Sequence, residues 1–514
     1  MALNDYLKKV LLSRVYDVAV QTPLETAESL SRSLDNTVLL KREDTQPVFS
    51  FKIRGAYNKM AQLTKEELKR GVIAASAGNH AQGVALSARH LGCEATIVMP
   101  ETSPAIKVRA VERLGGKVVL FGESFSDCAS KTQELIEKTG AVFIPPFDDE
   151  DVIAGQGTIA MEILRQNPGP LDAVFVPIGG GGLAAGVGVY IKALRPEIKV
   201  IGVEPVDSDD MRRSIAAGRP VEMREVGLFA DGVAVKLVGA KTFEICRDCL
   251  DDIVLVDTDA ICSAIKDIFE DTRVVAEPAG ALSLAGLKAY AKQHDWHGKR
   301  LACIVSGANM NFDRLGYVSD RAAIGSHKEA LLAVDVPEKI GSFRTLIHTI
   351  GKRNITEVCT RFSDPEKGHV FLGLSLSDPA EKESIMEDMR KQGFRVTDMS
   401  NNELAKLHIR HLVGGNAPWI EHEKLYRFVF PEHPGALLNF MDAMHMNFNI
   451  TLFQYRYHGA DFGRVLVGID VPDEKQDLFN DFLQRVSAMG YPYVDETDNE
   501  AYRIFLGWHD AERA

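Results

Sequence analysis

Two kinds of hydrophobic pattern divide the chain. Up to about residue 320, short apolar runs alternate with longer segments whose apolar positions recur at helical spacing. Thr37-Val-Leu-Leu-Lys, Gly71-Val-Ile-Ala-Ala, Ala95-Thr-Ile-Val-Met, Lys117-Val-Val-Leu-Phe, Ala173-Val-Phe-Val-Pro, Lys199-Val-Ile-Gly-Val and Leu301-Ala-Cys-Ile-Val-Ser read as buried strands. Each is rich in Val, Ile or Leu and is bounded by Gly, Pro or a polar cluster. Segments such as Ala81–Leu91 and Ser126–Lys138 read as helices. This alternation predicts an α/β fold of parallel sheets with helices on both faces, and ligands of such sheets sit beyond the carboxyl ends of the strands.

Near Arg321–Glu329 the pattern changes, and the rest of the chain is a motif set written twice. Pro337 and Gly341 recur as Pro431 and Gly435, Asn354-Ile355-Thr356 as Asn449-Ile450-Thr451, and Gly373 as Gly468. Gly393, Asp398 and Asn402-Glu403 recur as Gly490, Asp495 and Asn499-Glu500. The offsets run 94, 95 and 97 residues, so order is kept and spacing barely drifts. Each copy reads as strand, Gly-containing turn, helix, two strands, helix and strand, which is a ferredoxin-like α+β unit. The expected division is therefore a unit over 1–320, repeats over 330–402 and 424–495, and a connector at Gly414–Glu423. Neither repeat holds a nucleophile–base set; His433, His445 and His458 stand alone. Tandem modules of this kind suit ligand sensing or subunit contact better than chemistry.

Composition narrows the options. At 514 residues the chain exceeds what one hydrophobic core usually serves. Its formal charge of -13 offers no basic footprint for nucleic acid. No apolar run reaches the length of a membrane span, and the first ten residues carry early charges rather than a secretory signal, so a cytoplasmic protein is expected. The seven cysteines are scattered; Cys246 and Cys249 form one C-x-x-C without a second pair, so they read as half-buried thiols on a helix and no metal site is expected.

Four segments carry candidate chemistry. Pro177-Ile178-Gly179-Gly180-Gly181-Gly182-Leu183 follows a strand and precedes a helix over Ala184–Leu194. Its glycines allow close backbone approach, and their N–H groups with the helix N-terminus suit a phosphate. The run is neither a P-loop nor a dinucleotide fingerprint, which favours a simpler phosphorylated cofactor over a nucleotide. A phosphorylated cofactor that also needs a protein lysine is pyridoxal phosphate, and Lys52 in Ser50-Phe51-Lys52-Ile53-Arg54-Gly55-Ala56 is the candidate. Phe49, Phe51, Ile53 and the small pair Gly55-Ala56 would give its amine an apolar setting that favours the neutral form. Ser76-Ala77-Gly78-Asn79-His80-Ala81-Gln82-Gly83 can present N–H groups to a substrate carboxylate, with helix capping as the plainer alternative. Cys303-Ile304-Val305-Ser306-Gly307-Ala308-Asn309 ends a strand with a hydroxyl that could meet a ring nitrogen, although Ser-Gly there is also an ordinary turn.

Together these segments resemble the fold-type II pyridoxal-phosphate enzymes, and among them the biosynthetic threonine dehydratases. Pro145-Pro146-Phe147-Asp148, Gly155-Gln156-Gly157-Thr158, Ala230-Asp231-Gly232-Val233-Ala234 and Ala276-Glu277-Pro278-Ala279-Gly280-Ala281 extend the match in family order over about residues 15–320. The tail resembles paired ACT-like regulatory domains. The resemblance implies two open twisted parallel-sheet subdomains followed by two ferredoxin-like domains. It implies that Lys52 tethers pyridoxal 5'-phosphate as a Schiff base and serves as the Cα base, with Phe51 beside it. Gly179, Gly180, Gly181, Gly182 and Leu183 would bind the phosphate, Asn79 the 3'-oxygen, and Ser306 the pyridine nitrogen. Ser76, Ala77, Gly78 and Asn79 would hold the substrate carboxylate, and Glu277 could act as a supporting acid. The implied reaction takes L-threonine, with L-serine as a further substrate, to a 2-oxo acid and ammonia. Isoleucine would inhibit and valine oppose it, near the Pro337–Gly341 and Pro431–Gly435 turns and around Asn354 and Asn449, in a homotetramer. A serine/threonine racemase or a catabolic dehydratase of the same family, a non-catalytic amino-acid sensor and a nicotinamide-linked oxidoreductase are the rival readings. The long tail, the intact Lys52 and the glycine spacing respectively count against them.

Overall fold

The computed structural model describes residues 3–337, 345–346, 349–350, 355–361, 367–411, 422–431, 440, 443–444, 448–456 and 462–506. Two compact units divide at Phe312/Asp313. In the first, a six-stranded sheet has the order β1 (Leu24–Thr26), β2 (Thr37–Arg42), β10 (Arg300–Val305), β7 (Ala173–Pro177), β8 (Lys199–Pro205) and β9 (Asp252–Val256). All neighbours are parallel except the short edge strand β1. A second, wholly parallel sheet orders β5 (Lys117–Leu120), β4 (Ala95–Met99), β3 (Val72–Ala75) and β6 (Val142–Phe143). The seven apolar runs are all strands. The three that the pattern did not mark are β1, β6 and β9: the first two span three and two residues, and β9 begins beside the acidic pair Asp251-Asp252.

The helix Lys52–Met60 joins the two sheets, and a buried ion network holds it there. The Arg54 guanidinium donates to both Glu43 carboxylate oxygens at 2.7 and 2.8 Å, and to Glu162 Oε1 at 2.6 Å. Lys41 Nζ donates to the other Glu162 oxygen at 2.6 Å. All four side chains are out of contact with solvent. Burial alone would depress the Arg54 guanidinium, and its two carboxylates more than reverse that. Two cations facing two anions leave no net buried charge, and each oxygen of both carboxylates is hydrogen-bonded, the condition under which buried charge is tolerated.

The second unit holds two antiparallel four-stranded sheets. The first orders β12 (Ile355–Arg361), β13 (Lys367–Ser375), β11 (Glu329–Pro337) and β14 (Arg395–Asp398). The other orders β16 (Asn449–Arg456), β17 (Phe462–Asp470), β15 (Glu423–Pro431) and β18 (Tyr493–Asp495). Both follow the second-third-first-fourth order of a ferredoxin-like unit. The repeated motifs have geometric causes. Register shifts between Ile355 and Glu357, and between Ile450 and Leu452, leave Thr356 and Thr451 as matching bulges. The residues just past the bulges pair with the repeated glycines Gly373 and Gly468. Asn402 and Asn499 cap the short helices Glu403–Leu407 and Glu500–Phe505, and the Asn402 amide donates to Asn499 Oδ1 at 3.1 Å. Equivalent faces of the repeats thus meet around Leu331, Leu404, Leu425 and Ala501. Gly341, Asn354, Gly435, His433, His445, His458 and residues 414–421 of the connector lie outside the described residues.

Replacing Arg54 with Met should cost about 3–5 kcal/mol of stability, because it leaves the buried Glu43 carboxylate without a cation and Glu162 with Lys41 alone. Denaturant unfolding of the full chain measures it; a loss under about 1 kcal/mol would contradict the network's role.

Candidate active site

The chemistry-bearing segments converge between the carboxyl ends of the two sheets. Gly179–Gly182 leave β7 and open the helix Gly182–Leu194. Gly181, at φ +90°, is in the left-handed region, and its helix start has no side-chain cap. A Cβ at Gly180 would lie 2.3 Å from the Phe147 ring, so the backbone approach excludes any side chain there. Thr242 pins the run from behind, its hydroxyl donating to Gly180 C=O at 2.6 Å. Within the described chain, no hydrogen bond takes the N–H groups of Gly179 through Leu183. Five unpaired donors leading into a helix N-terminus make this glycine cradle a place that can take an anion.

Lys52 reaches this cradle through the Pro145–Asp148 segment. Its Nζ donates to Pro146 C=O at 3.0 Å and lies 5.3 Å from the Phe51 ring centre. Phe147, the next residue, is the one that packs on Gly180 and Gly182. Asp148 continues the linkage by accepting from the N–H groups of Ala240, Lys241 and Thr242. Burial pushes the Lys52 amine down to about 8, and the Glu277 carboxylate partly opposes it.

The other two segments close the site. The segment carrying Lys52 runs beside the end of β10: Phe51 N–H donates to Ser306 C=O at 3.2 Å, and Ala308 N–H to Phe49 C=O at 2.9 Å. The Ser306 side chain, 3% exposed, donates to Ala279 C=O at 3.1 Å. Ser76, Ala77 and Gly78 lie half-buried at the end of β3, ahead of the helix Asn79–Leu91. Asn79 crosses to the large sheet, its Nδ2 donating to Glu277 Oε1 at 2.5 Å.

Several expectations change. The helix at Asn79 starts on Gly78 with no side-chain cap, so plain capping does not explain the Ser76–Asn79 loop. Phe49 does not shield Lys52: at φ +54° its side chain turns outward and is 56% exposed. Cys246 and Cys249 are fully rather than half buried, and burial pushes both thiols up. His80 is a packed residue; burial pushes it down to about 3, and its Nε2–H donates to Ile144 C=O at 2.8 Å.

Sequence spacing carried no sign of Thr242, of Asn309 as a partner of Asn79, or of the acid pair Glu204 and Asp210. That pair lies next to Met211, which packs on Gly181. Burial raises both carboxyls, Asp210 to about 7; the charge of Asp210 adds to the rise at Glu204, whereas at Asp210 the hydrogen bond with Glu204 opposes it. Among the described residues, no helix is long and apolar enough to cross a membrane, and no three His, Cys, Asp or Glu could hold a metal ion.

A family model for pyridoxal-phosphate dependent enzymes matches residues 15–307. A model for the C-terminal regulatory domain of threonine dehydratase matches twice, at 320–409 and 415–506. The L-threonine dehydratase biosynthetic IlvA of Burkholderia multivorans is 54% identical over 509 residues, covering 98% of this chain and 100% of its own length. The Escherichia coli protein of the same name is 51% identical over 503 residues, 98% of this chain and 97% of its own. Among solved structures, the processed form of threonine deaminase isoform 2 from Solanum lycopersicum is 50% identical at a TM-score of 0.62, over 63% of this chain and 88% of that one. Maize serine racemase is 34% identical at a TM-score of 0.57, over 63% and 98%.

The depressed Lys52 amine is testable without any ligand. Labelling by a small aldehyde and borohydride, followed by peptide mapping, should rise through a midpoint near pH 8 at Lys52, because only the neutral amine reacts. An ordinary lysine does so at about 10.4. A Lys52 midpoint above about 10 would contradict the buried setting.

Proposed function

The chain belongs to the pyridoxal-phosphate-dependent threonine dehydratases, and from that premise we propose that it converts L-threonine to 2-oxobutanoate and ammonia in isoleucine biosynthesis, under feedback control through its second unit. The observation that carries the reading is a lysine amine, depressed to about 8 by burial, tied through Pro146-Phe147 to a glycine cradle with five free N–H donors.

The residues fit the cofactor. The N–H groups of Gly179, Gly180, Gly181, Gly182 and Leu183, with the helix N-terminus behind them, take the phosphate. Lys52 would be the covalent tether, with the Phe51 ring near its amine; Asn79 would donate to the 3'-oxygen, and the Ser306 hydroxyl would meet the pyridine nitrogen. Bound pyridoxal phosphate supplies an electron sink that makes the substrate Cα–H acidic. A serine hydroxyl cannot hold positive charge on the ring as a carboxylate could, so loss of the β-hydroxyl is favoured over transamination. Ser76, Ala77, Gly78 and Asn79 hold the substrate carboxylate at the start of a helix. Lys52, as a free amine, takes the Cα proton. Water leaves from Cβ, and the released aminocrotonate tautomerises and hydrolyses to 2-oxobutanoate and ammonia. Glu277 shapes this site through Asn79 and through its charge on Lys52.

The doubled regulatory domain supports amino-acid effectors; on this reading isoleucine inhibits and valine opposes it, in a cytoplasmic homotetramer that also accepts L-serine. Effector contacts fall near Pro337, Pro431 and Asn449.

A keto-acid assay with L-threonine, with and without isoleucine, tests both halves. 2-Oxobutanoate should form, and isoleucine should suppress it in the full chain but not after deletion of residues 325–514. D-Threonine in place of keto acid would overturn the dehydratase reading. Inhibition that survives the deletion would overturn the regulatory one.

A further inference from the structure

Asn79 is the one side chain placed at the cofactor that is an amide, and an amide turned the wrong way offers oxygen where nitrogen is needed. Its orientation is set by a relay that spans the cleft. Asn309 Nδ2 donates to Val48 C=O at 2.8 Å and to Asn79 Oδ1 at 2.7 Å, and Asn79 Nδ2 donates to Glu277 Oε1 at 2.5 Å. The donor count admits one consistent arrangement. Val48 C=O can only accept, so Asn309 must turn Nδ2 toward it. An NH2 group has two protons, and the second is directed at Asn79, which must therefore present oxygen to Asn309. That leaves Asn79 Nδ2 facing the Glu277 carboxyl oxygen, which accepts one of its two protons. The other proton remains for a ligand.

We propose that Asn309 is a positioning residue that, together with Glu277, locks Asn79 so that it offers a single N–H donor to the cofactor's phenolic oxygen and holds that oxygen in its deprotonated form. The inference rests on the pyridoxal-phosphate reading above and deepens it. Asn309 acts only through Asn79. Without it the Asn79 amide loses its partner on the oxygen side and is held by Glu277 alone, so the direction of its remaining N–H loosens, which weakens the cofactor's hold and lets the oxygen regain its proton.

The test is a double-mutant cycle on the full chain, using pyridoxal phosphate as the probe. Its dissociation constant by equilibrium dialysis and its visible absorption are read for wild type, Asn79→Ala, Asn309→Ala and the double variant. Asn309→Ala should weaken binding by at least about fivefold, the order expected for one lost hydrogen bond with a reoriented partner. It should also move absorbance from the visible band toward the near-ultraviolet band. In the Asn79→Ala background it should add nothing. Asn309→Asp, which keeps the side-chain volume but cannot donate, should give the same result if the alanine variant melts early. Wild-type binding and spectrum in Asn309→Asp would overturn the proposal, and so would a loss of equal size with and without Asn79. A wild type that takes up no pyridoxal phosphate would overturn the cofactor reading itself, a different result from either.

Discussion

Arg54 sits two residues beyond the reactive lysine and has no contact with water. Its guanidinium is held by Glu43 from the segment after β2 and by Glu162 from the helix Glu150–Gln166. A cation so placed cannot shift without leaving Glu43 without a cation and Glu162 with Lys41 alone in a low-dielectric interior, which costs several kcal/mol. The start of the helix Lys52–Met60 is therefore fixed against both neighbours. The adjacent backbone, Phe49 through Phe51, is fixed in turn against Ser306 and Ala308. Lys52 inherits a single position, and the rest of the site is arranged about it.

That arrangement is economical in its parts. The Pro145–Asp148 segment touches the lysine amine with Pro146, packs Phe147 under the glycine cradle and caps the helix Ala240–Cys249 with Asp148. The same helix returns Thr242 to the cradle from the other side. One short irregular stretch thus sets the spacing between the covalent anchor and the phosphate end. Rigid placement of this kind is what lets a site bind a small cofactor at both ends without reorganising.

The features legible in the sequence were the local ones. The glycine cradle and the Ser76–Asn79 loop are strand–loop–helix junctions, whose donors follow from a few consecutive residues. Six of the seven apolar runs announced their strands because parallel strands are buried on both faces; the seventh, β5, is an edge strand and is half-exposed where the pattern reads as buried. The duplication was legible in Asn-Ile-Thr and its distant glycine, although only the fold shows that these mark a bulge and its cross-strand partner. The relay from Asn309 through Asn79 to Glu277 joins positions some 200 residues apart, and no spacing rule signals such a contact. Phe49 misled for the opposite reason: it lies in an apolar cluster, but its backbone is left-handed and throws the ring outward. An apolar residue beside a functional one lines the site only if its φ allows it.

The claim on which the account rests is that Lys52, among all the lysines of the chain, is the amine that joins the cofactor. The direct measurement is borohydride reduction of the chain loaded with pyridoxal phosphate, followed by mass spectrometry of its peptides. One phosphopyridoxyl adduct is expected, on Lys52. An adduct confined to other lysines, or none at all, would contradict it.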